Sequence, residues 1–208
     1  KRPRWHVIYK IEEVDNKLCE PFNIFFHTII KFSESFITMI KIENLTKEFG
    51  DLVAVDHINL NVEGGEFFSF IGPNGAGKTT TIKMIAGLLH PSEGSVRVCG
   101  HDIGKEYITA KKKMSYVPDQ PYLYDKLSGR EFLQFIAEMY EVPKPAAEER
   151  IKDLVDTFGL ETFIDELGEA YSHGMKQRVI ISSALLHNPE VMIIDEPLVG
   201  LDPKAANI

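Results

Sequence analysis

Residues 67–80 read FFSFIGPNGAGKTT, an apolar run that breaks into a glycine-rich turn and resumes in a helical pattern. FFSFI at 67–71 predicts a buried strand, and Ile82, Ile85, Leu88 and Leu89 form a helical stripe that stops before Pro91. Strand, glycine loop and helix are the context that a phosphate loop requires. GPNGAGKT, Gly72 to Thr79, matches the spacing of such a loop without a mismatch. Gly72, Gly75 and Gly77 let the backbone around Pro73, Asn74 and Ala76 curl until successive N–H groups point at phosphate oxygens. The helix start adds its partial positive charge. Lys78 then reaches the β- and γ-phosphates, and the Thr79 hydroxyl ligates magnesium. A tight glycine turn alone would require neither the lysine nor the hydroxyl.

Working outward, Ile40, Ile42 and Leu45 suggest an early strand, and Ile58, Leu60 and Val62 alternate with polar residues in a second. Ser128 and Glu131 have capping-box spacing before an apolar face of Phe132, Phe135, Ile136 and Met139. A further helix is predicted from Pro145 to Phe158 with Gly159 as its stop, and another between Gly174 and Leu186. VMIID at 191–195 is a continuous apolar strand ending in acid. Ligands of open parallel sheets bind at the carboxyl ends of strands, so Ile71 and Ile194 are expected to bring the loop, Asp195 and Glu196 to one edge. There Asp195 would hold magnesium and Glu196 would polarise the attacking water. Alone, the two acids read equally well as helix-start carboxylates; the phosphate loop and the following PLVGLDP favour the catalytic reading.

The 208 residues amount to one domain, or one with an appendage, at about 150 residues per domain. A net charge of −8 argues against a surface that coats nucleic acid or anionic lipid, so no nucleic-acid partner is expected. Cys19 and Cys99 have neither disulfide-framework nor metal-site spacing, which suits a reducing compartment. The apolar runs are too short to cross a bilayer, and the chain reads as cytosolic. Residues 1–38 carry five of the 13 Phe residues and a charge of +1, against −9 for the remainder. Three readings of this uncertain extension compete: an interfacial or partner-binding helix, a structured extension, and translated sequence upstream of a true start at Met39.

From Met39 to Ile208 the chain resembles the nucleotide-binding subunit of ATP-binding-cassette transporters, on four ordered motifs. Beside GPNGAGKT and VMIIDE stand YSHGMKQR, Tyr171 to Arg178, in the place of the LSGGQ-type signature, and GLDP, Gly200 to Pro203, like the family's D-loop. Tyr171, His173 and Met175 depart from the commonest signature residues, in a pattern like that of bacterial drug, antibiotic or ion exporters. The resemblance implies an α/β, RecA-like P-loop NTPase core, an amino-terminal antiparallel β portion and an inserted helical lobe at about 120–175. It further implies ATP and magnesium as cofactors, with Thr80 completing the phosphate loop. Phe49 matches the aromatic that stacks on adenine. In YVPDQPYLY, the glutamine-loop region, Asp119 stands where the family usually has glutamine and Gln120 comes one place later; either could serve there, with Gln120 the candidate magnesium ligand. Ser172, His173, Gly174 and Met175 would face a phosphate held by a second ATP-binding subunit in a head-to-tail dimer, with Leu201 and Asp202 in the D-loop.

By the same resemblance, hydrolysis is coupled to a membrane-spanning subunit, export is the preferred direction, and the protein lies on the cytoplasmic face of the membrane through that partner. The family's switch histidine has no counterpart, because all seven histidines precede VMIIDE. The domain is therefore expected to be incomplete at its carboxyl end, with little or no turnover from this polypeptide alone. Two other readings stand: a soluble cassette ATPase acting on ribosomes or DNA, and a nucleotide-binding remnant without turnover. A single phosphate loop and the lack of sustained heptads weigh against the first.

Overall fold

The computed structural model describes residues 38–195, which divide between Lys111 and Lys112 into two compact units. In the first, β1 (Thr38–Phe49) and β2 (Leu52–Glu63) form a long antiparallel hairpin. Its turn is made by Gly50 and Asp51, with Gly50 at φ 58, a left-handed conformation that glycine adopts without cost. β3 (Glu93–Val98) pairs antiparallel with the other edge of β1, and β4 (His101–Asp102) pairs with β3, giving the order β2-β1-β3-β4. Alternation explains the inner face of Ile42, Leu45, Val55, Val62, Val96 and Val98. The step from Ile42 to Leu45 is three residues, which would turn Leu45 outward in a regular strand. A register shift between them, with Asn44 at φ 48, returns it to the core. The antiparallel β portion is thus present as expected.

The helix after the glycine loop, α1 (Lys78–Ile85), is shorter than its apolar stripe suggests. It closes at Ala86, and Gly87 then turns to φ 65. A left-handed glycine ends a helix by redirecting the chain, so Leu88 and Leu89 lie beyond it and Leu88 is exposed. FFSFI is a second departure. Residues 67–71 are not a strand and belong to neither sheet, and Phe67 and Ile71 are exposed. Apolarity alone does not make a strand; a ladder partner must satisfy the backbone. Phe68 and Phe70 still meet edge to face at 5.1 Å, as residues two apart on one face do. The unit ends in α2 (Tyr107–Lys113).

The second unit is built on a parallel pair. β5 (Met114–Val117) lies beside β6 (Val191–Ile194) in the register Met114↔Val191 to Val117↔Ile194. Three helices stand between these strands in sequence: α3 (Gly129–Met139), α4 (Lys144–Phe158) and α5 (His173–Leu185). α3 begins with the complete capping box foreseen at Ser128 and Glu131. α4 carries Pro145 in its first turn and stops at Gly159, φ 56, again as foreseen. The helices pack on one another, α5 also packs on β5, and Leu123, Leu133, Leu160, Ile164 and Leu186 are fully buried. β3, β4, α2 and β5 have no counterpart in the sequence reading. They are short, and only SVRV at 95–98 shows any alternation.

Between α5 and β6, His187 stacks on Tyr140 with centroids 3.8 Å apart, and its Nε2 lies 3.2 Å from the Met114 carbonyl oxygen. Its Nδ1 is buried without a partner. Burial holds this imidazole below the usual histidine range, and the Arg150 charge pushes the same way, while the bond to Met114 opposes them. Unfolding releases a histidine that takes up its proton near pH 6.5, as ordinary histidines do. The unfolded chain therefore binds more protons just below that pH, and stability present above it is lost as pH falls. Urea midpoints are expected to decline from pH 7 to pH 5, and His187→Gln should remove part of that slope. An unchanged slope would exclude His187 as its source.

Candidate nucleotide-binding site

Residues 72–77 enter α1 through two left-handed glycines, Gly75 at φ 78 and Gly77 at φ 85. Between them Ala76 is buried, and its N–H donates to the Pro73 carbonyl at 3.2 Å. Lys78 folds back over the loop, its Nζ donating to the carbonyls of Gly72 at 2.8 Å and Pro73 at 2.9 Å. The Thr81 hydroxyl and N–H both donate to the Gly77 carbonyl. That bond anchors the first turn and holds Thr81 inward, while Thr79 and Thr80 stay partly exposed.

A helix start normally has its orphan N–H groups capped by a side chain. Here the N-cap is Gly77, without a side-chain cap, and the first turn holds no acid. Backbone donors, the helix dipole and the Lys78 ammonium thus share one short segment with no anionic side chain among them. That is a donor set for phosphate.

Phe49 ends β1 half-exposed, with the Lys47 ammonium 5.1 Å from its ring centre. Lys47 is itself bound to the His90 carbonyl at 2.9 Å. An exposed aromatic at a strand end has one more face than the core requires, which suits stacking.

In the second unit, Asp195 follows β6 and is buried, and its N–H donates to the Val117 carbonyl at 2.9 Å. The parallel register therefore delivers Asp195 and the turn after β5, with exposed Asp119 and Gln120, to the same carboxyl edge. The Tyr116 hydroxyl reaches Asp195 Oδ2 at 3.5 Å. Burial pushes this phenol up to about 12, and the charges of Asp195 and Asp119 add to the shift. Tyr116 stays protonated and donates to the aspartate. Nothing in the sequence singled it out, because its position opposite Ile193 is set by strand pairing.

YSHGMKQR opens α5. Ser172 is its N-cap and accepts from the Met175 N–H at 3.3 Å, while Met175 Sδ accepts from the Ser172 N–H at 3.4 Å. The thioether takes the place that a glutamate or glutamine fills in the usual capping box. His173 is exposed, and a Cβ at Gly174 would meet nothing within 4 Å, so packing among the described residues does not require glycine there. Arg178 caps the end of α4 through Phe158 O at 3.1 Å and Gly159 O at 3.0 Å, and lies 4.9 Å from the Phe163 ring centre. Glu196, Leu201 and Asp202 lie outside the described residues. The phosphate loop belongs to the first unit, and Asp195, the 119–120 turn and the signature segment belong to the second.

A family model described as ABC transporter matches residues 55–199, and the chain belongs to that family. It is 42% identical over 166 residues to the uncharacterized ABC transporter ATP-binding protein YhcH of Bacillus subtilis, covering 80% of this chain and 53% of that one. It is 41% identical over 169 residues to the linearmycin resistance ATP-binding protein LnrL of the same species, covering 81% and 54%. Among solved structures, an ATP-binding subunit of an ABC transporter superposes with a TM-score of 0.75 at 35% identity, over 81% of this chain and 70% of that one. The fold is therefore the α/β fold of ABC ATPase domains. The chain spans about half the length of the curated relatives it matches. Among the described residues, no helix is long and apolar enough to cross a membrane.

Gly75 tests the loop directly. A Cβ there would touch nothing within 4 Å, so Gly75→Ala adds no clash and burdens only the left-handed φ. The expected loss is about 1–2 kcal/mol of loop stability, read as weaker triphosphate binding in calorimetry. Unaltered binding would mean that this loop conformation is not the binding one.

Proposed function

We propose that the chain is the ATP-binding and ATP-hydrolysing subunit of an ABC transporter, working as a head-to-tail pair that drives a membrane-spanning subunit. The observation that carries this reading is the uncapped start of α1, with Lys78 laid across the loop before it. In that role Lys78 exchanges the Gly72 and Pro73 carbonyls for β- and γ-phosphate oxygens, a charge-assisted and stronger set of bonds. In the second unit the Asp195 carboxylate, with Gln120 or Asp119 on the same β5 edge, offers hard oxygen donors suited to magnesium, and in the first the Thr79 hydroxyl offers another. Magnesium held by these residues would supply positive charge against the phosphates. Tyr116 donates to one Asp195 oxygen and so helps hold the carboxylate in place. Phe49 supports adenine, and Glu196 directs the attacking water.

In the pair, the α5 start offers its N–H groups to the phosphate held by the other subunit. Gly174 supports this role: glycine in a helix costs about 0.5–1 kcal/mol relative to alanine, and no packing among the described residues calls for it. The likeness to a protein named for linearmycin resistance supports export as the direction. A place on the cytoplasmic face of a membrane, held there by the partner, follows from the same reading, as does a cassette domain over residues 39–208 with its lobe near 120–175.

The deciding experiment is magnesium-ATP titration of the chain and of Lys78→Ala. The substitution removes the loop's cation and should weaken triphosphate affinity at least about a hundredfold, in line with losing charge-assisted bonds worth about 1.5–3 kcal/mol each. Equal affinity in the two proteins would refute the assignment of the loop.

A further inference from the structure

Tyr171 stands immediately before the N-cap of α5, yet its side chain serves a different helix. The ring is buried and meets Phe163 edge to face at 5.1 Å. Its hydroxyl donates to the Phe163 carbonyl at 2.8 Å and accepts from the Gly129 N–H at 3.0 Å. Gly129 is the first residue of α3, so the phenol satisfies one of the orphan donors of that helix. The approach is close: a Cβ at Gly129 would lie 2.7 Å from the Tyr171 hydroxyl and 2.8 Å from Ile164 Cδ1, so a larger residue would require one of them to shift. Along the same seam, Gly168 N–H donates to Leu127 O at 2.9 Å and Arg130 N–H to Ile164 O at 2.9 Å. Lys176 Nζ reaches Asp125 at 3.3 Å. Leucine, the commonest residue at this signature position, would fill the space and make neither bond.

We infer that Tyr171 is a positioning residue whose hydroxyl locks the start of α3 to the start of α5, so that the 122–128 turn and the Ser172 end of α5 move as one body. A displacement at Tyr122 and Tyr124, both exposed on that turn, is then passed to Ser172 without passing through the phosphate loop. The consequence for ATP rests on the role proposed above for Ser172; the mechanical link does not.

The test is site-resolved amide hydrogen exchange on the full chain without nucleotide, so it is independent of whether Ser172 ever meets a phosphate. Tyr171→Phe keeps the ring and leaves the Gly129 N–H buried and unmet, and exchange at Gly129 should rise about tenfold. The inference requires that exchange at Met175, whose N–H is held by Ser172 Oγ, rise with it. A rise at Gly129 alone would overturn it. Ser128→Ala provides a second route, because it strips the α3 capping box and leaves Tyr171 untouched. It should raise exchange at Met175 in the wild-type background and add nothing there in the Tyr171→Phe background. An unchanged Met175 in Ser128→Ala, or an equal increment in both backgrounds, overturns the link, and the first of these holds even if Tyr171→Phe fails to fold.

Discussion

The register of β5 on β6 decides where the chemistry of the second unit can stand. Met114 opposite Val191 puts Val117 opposite Ile194, and the next residues, the turn at 118–120 and Asp195, leave the pair at a common edge. Side chains alternate with a period of two, so a slip of one residue would turn the apolar set of the strand to the wrong face. The burial of Val191 and Ile193, two apart on one face of β6, opposes that slip. The Asp195 N–H to Val117 carbonyl bond extends the ladder one residue further and fixes the aspartate backbone. Tyr116 comes to Asp195 by the same register.

The helices of this unit hold one another by their ends as much as by their faces. Arg178 of α5 caps the carbonyls at the end of α4, and Tyr171 before α5 caps the N–H at the start of α3. Helix termini expose unsatisfied groups, and a buried terminus must find partners. Supplying them from a neighbouring helix ties positions as well as satisfying bonds. Tyr171 and Arg178 of the signature segment are thus committed to other helices, while His173 stays exposed and a Cβ at Gly174 would meet no described atom within 4 Å. One short segment thus combines a rigid attachment with an exposed helix start, as befits a surface that a second ATP-binding subunit is proposed to use.

What the sequence by itself determined is local. GPNGAGKT contains its own reasons for folding: glycines where φ is positive, a lysine long enough to return over the loop, and a helix start without a side-chain cap. The Ser128 and Glu131 box, Pro145 and Gly159 are equally local, and each stands where its spacing put it. The tertiary structure decided whatever needs a partner from elsewhere in the chain. FFSFI is apolar enough for a strand but joins neither sheet, whereas the four-residue MSYV is a strand because VMII lies beside it. Tyr116 on Asp195 and Tyr171 on Gly129 span 79 and 42 residues. Periodicity and capping are rules about neighbours in sequence, so they reach the phosphate loop and the helix ends; pairing across such distances depends on which surfaces meet when the core closes, and only the folded chain reveals it.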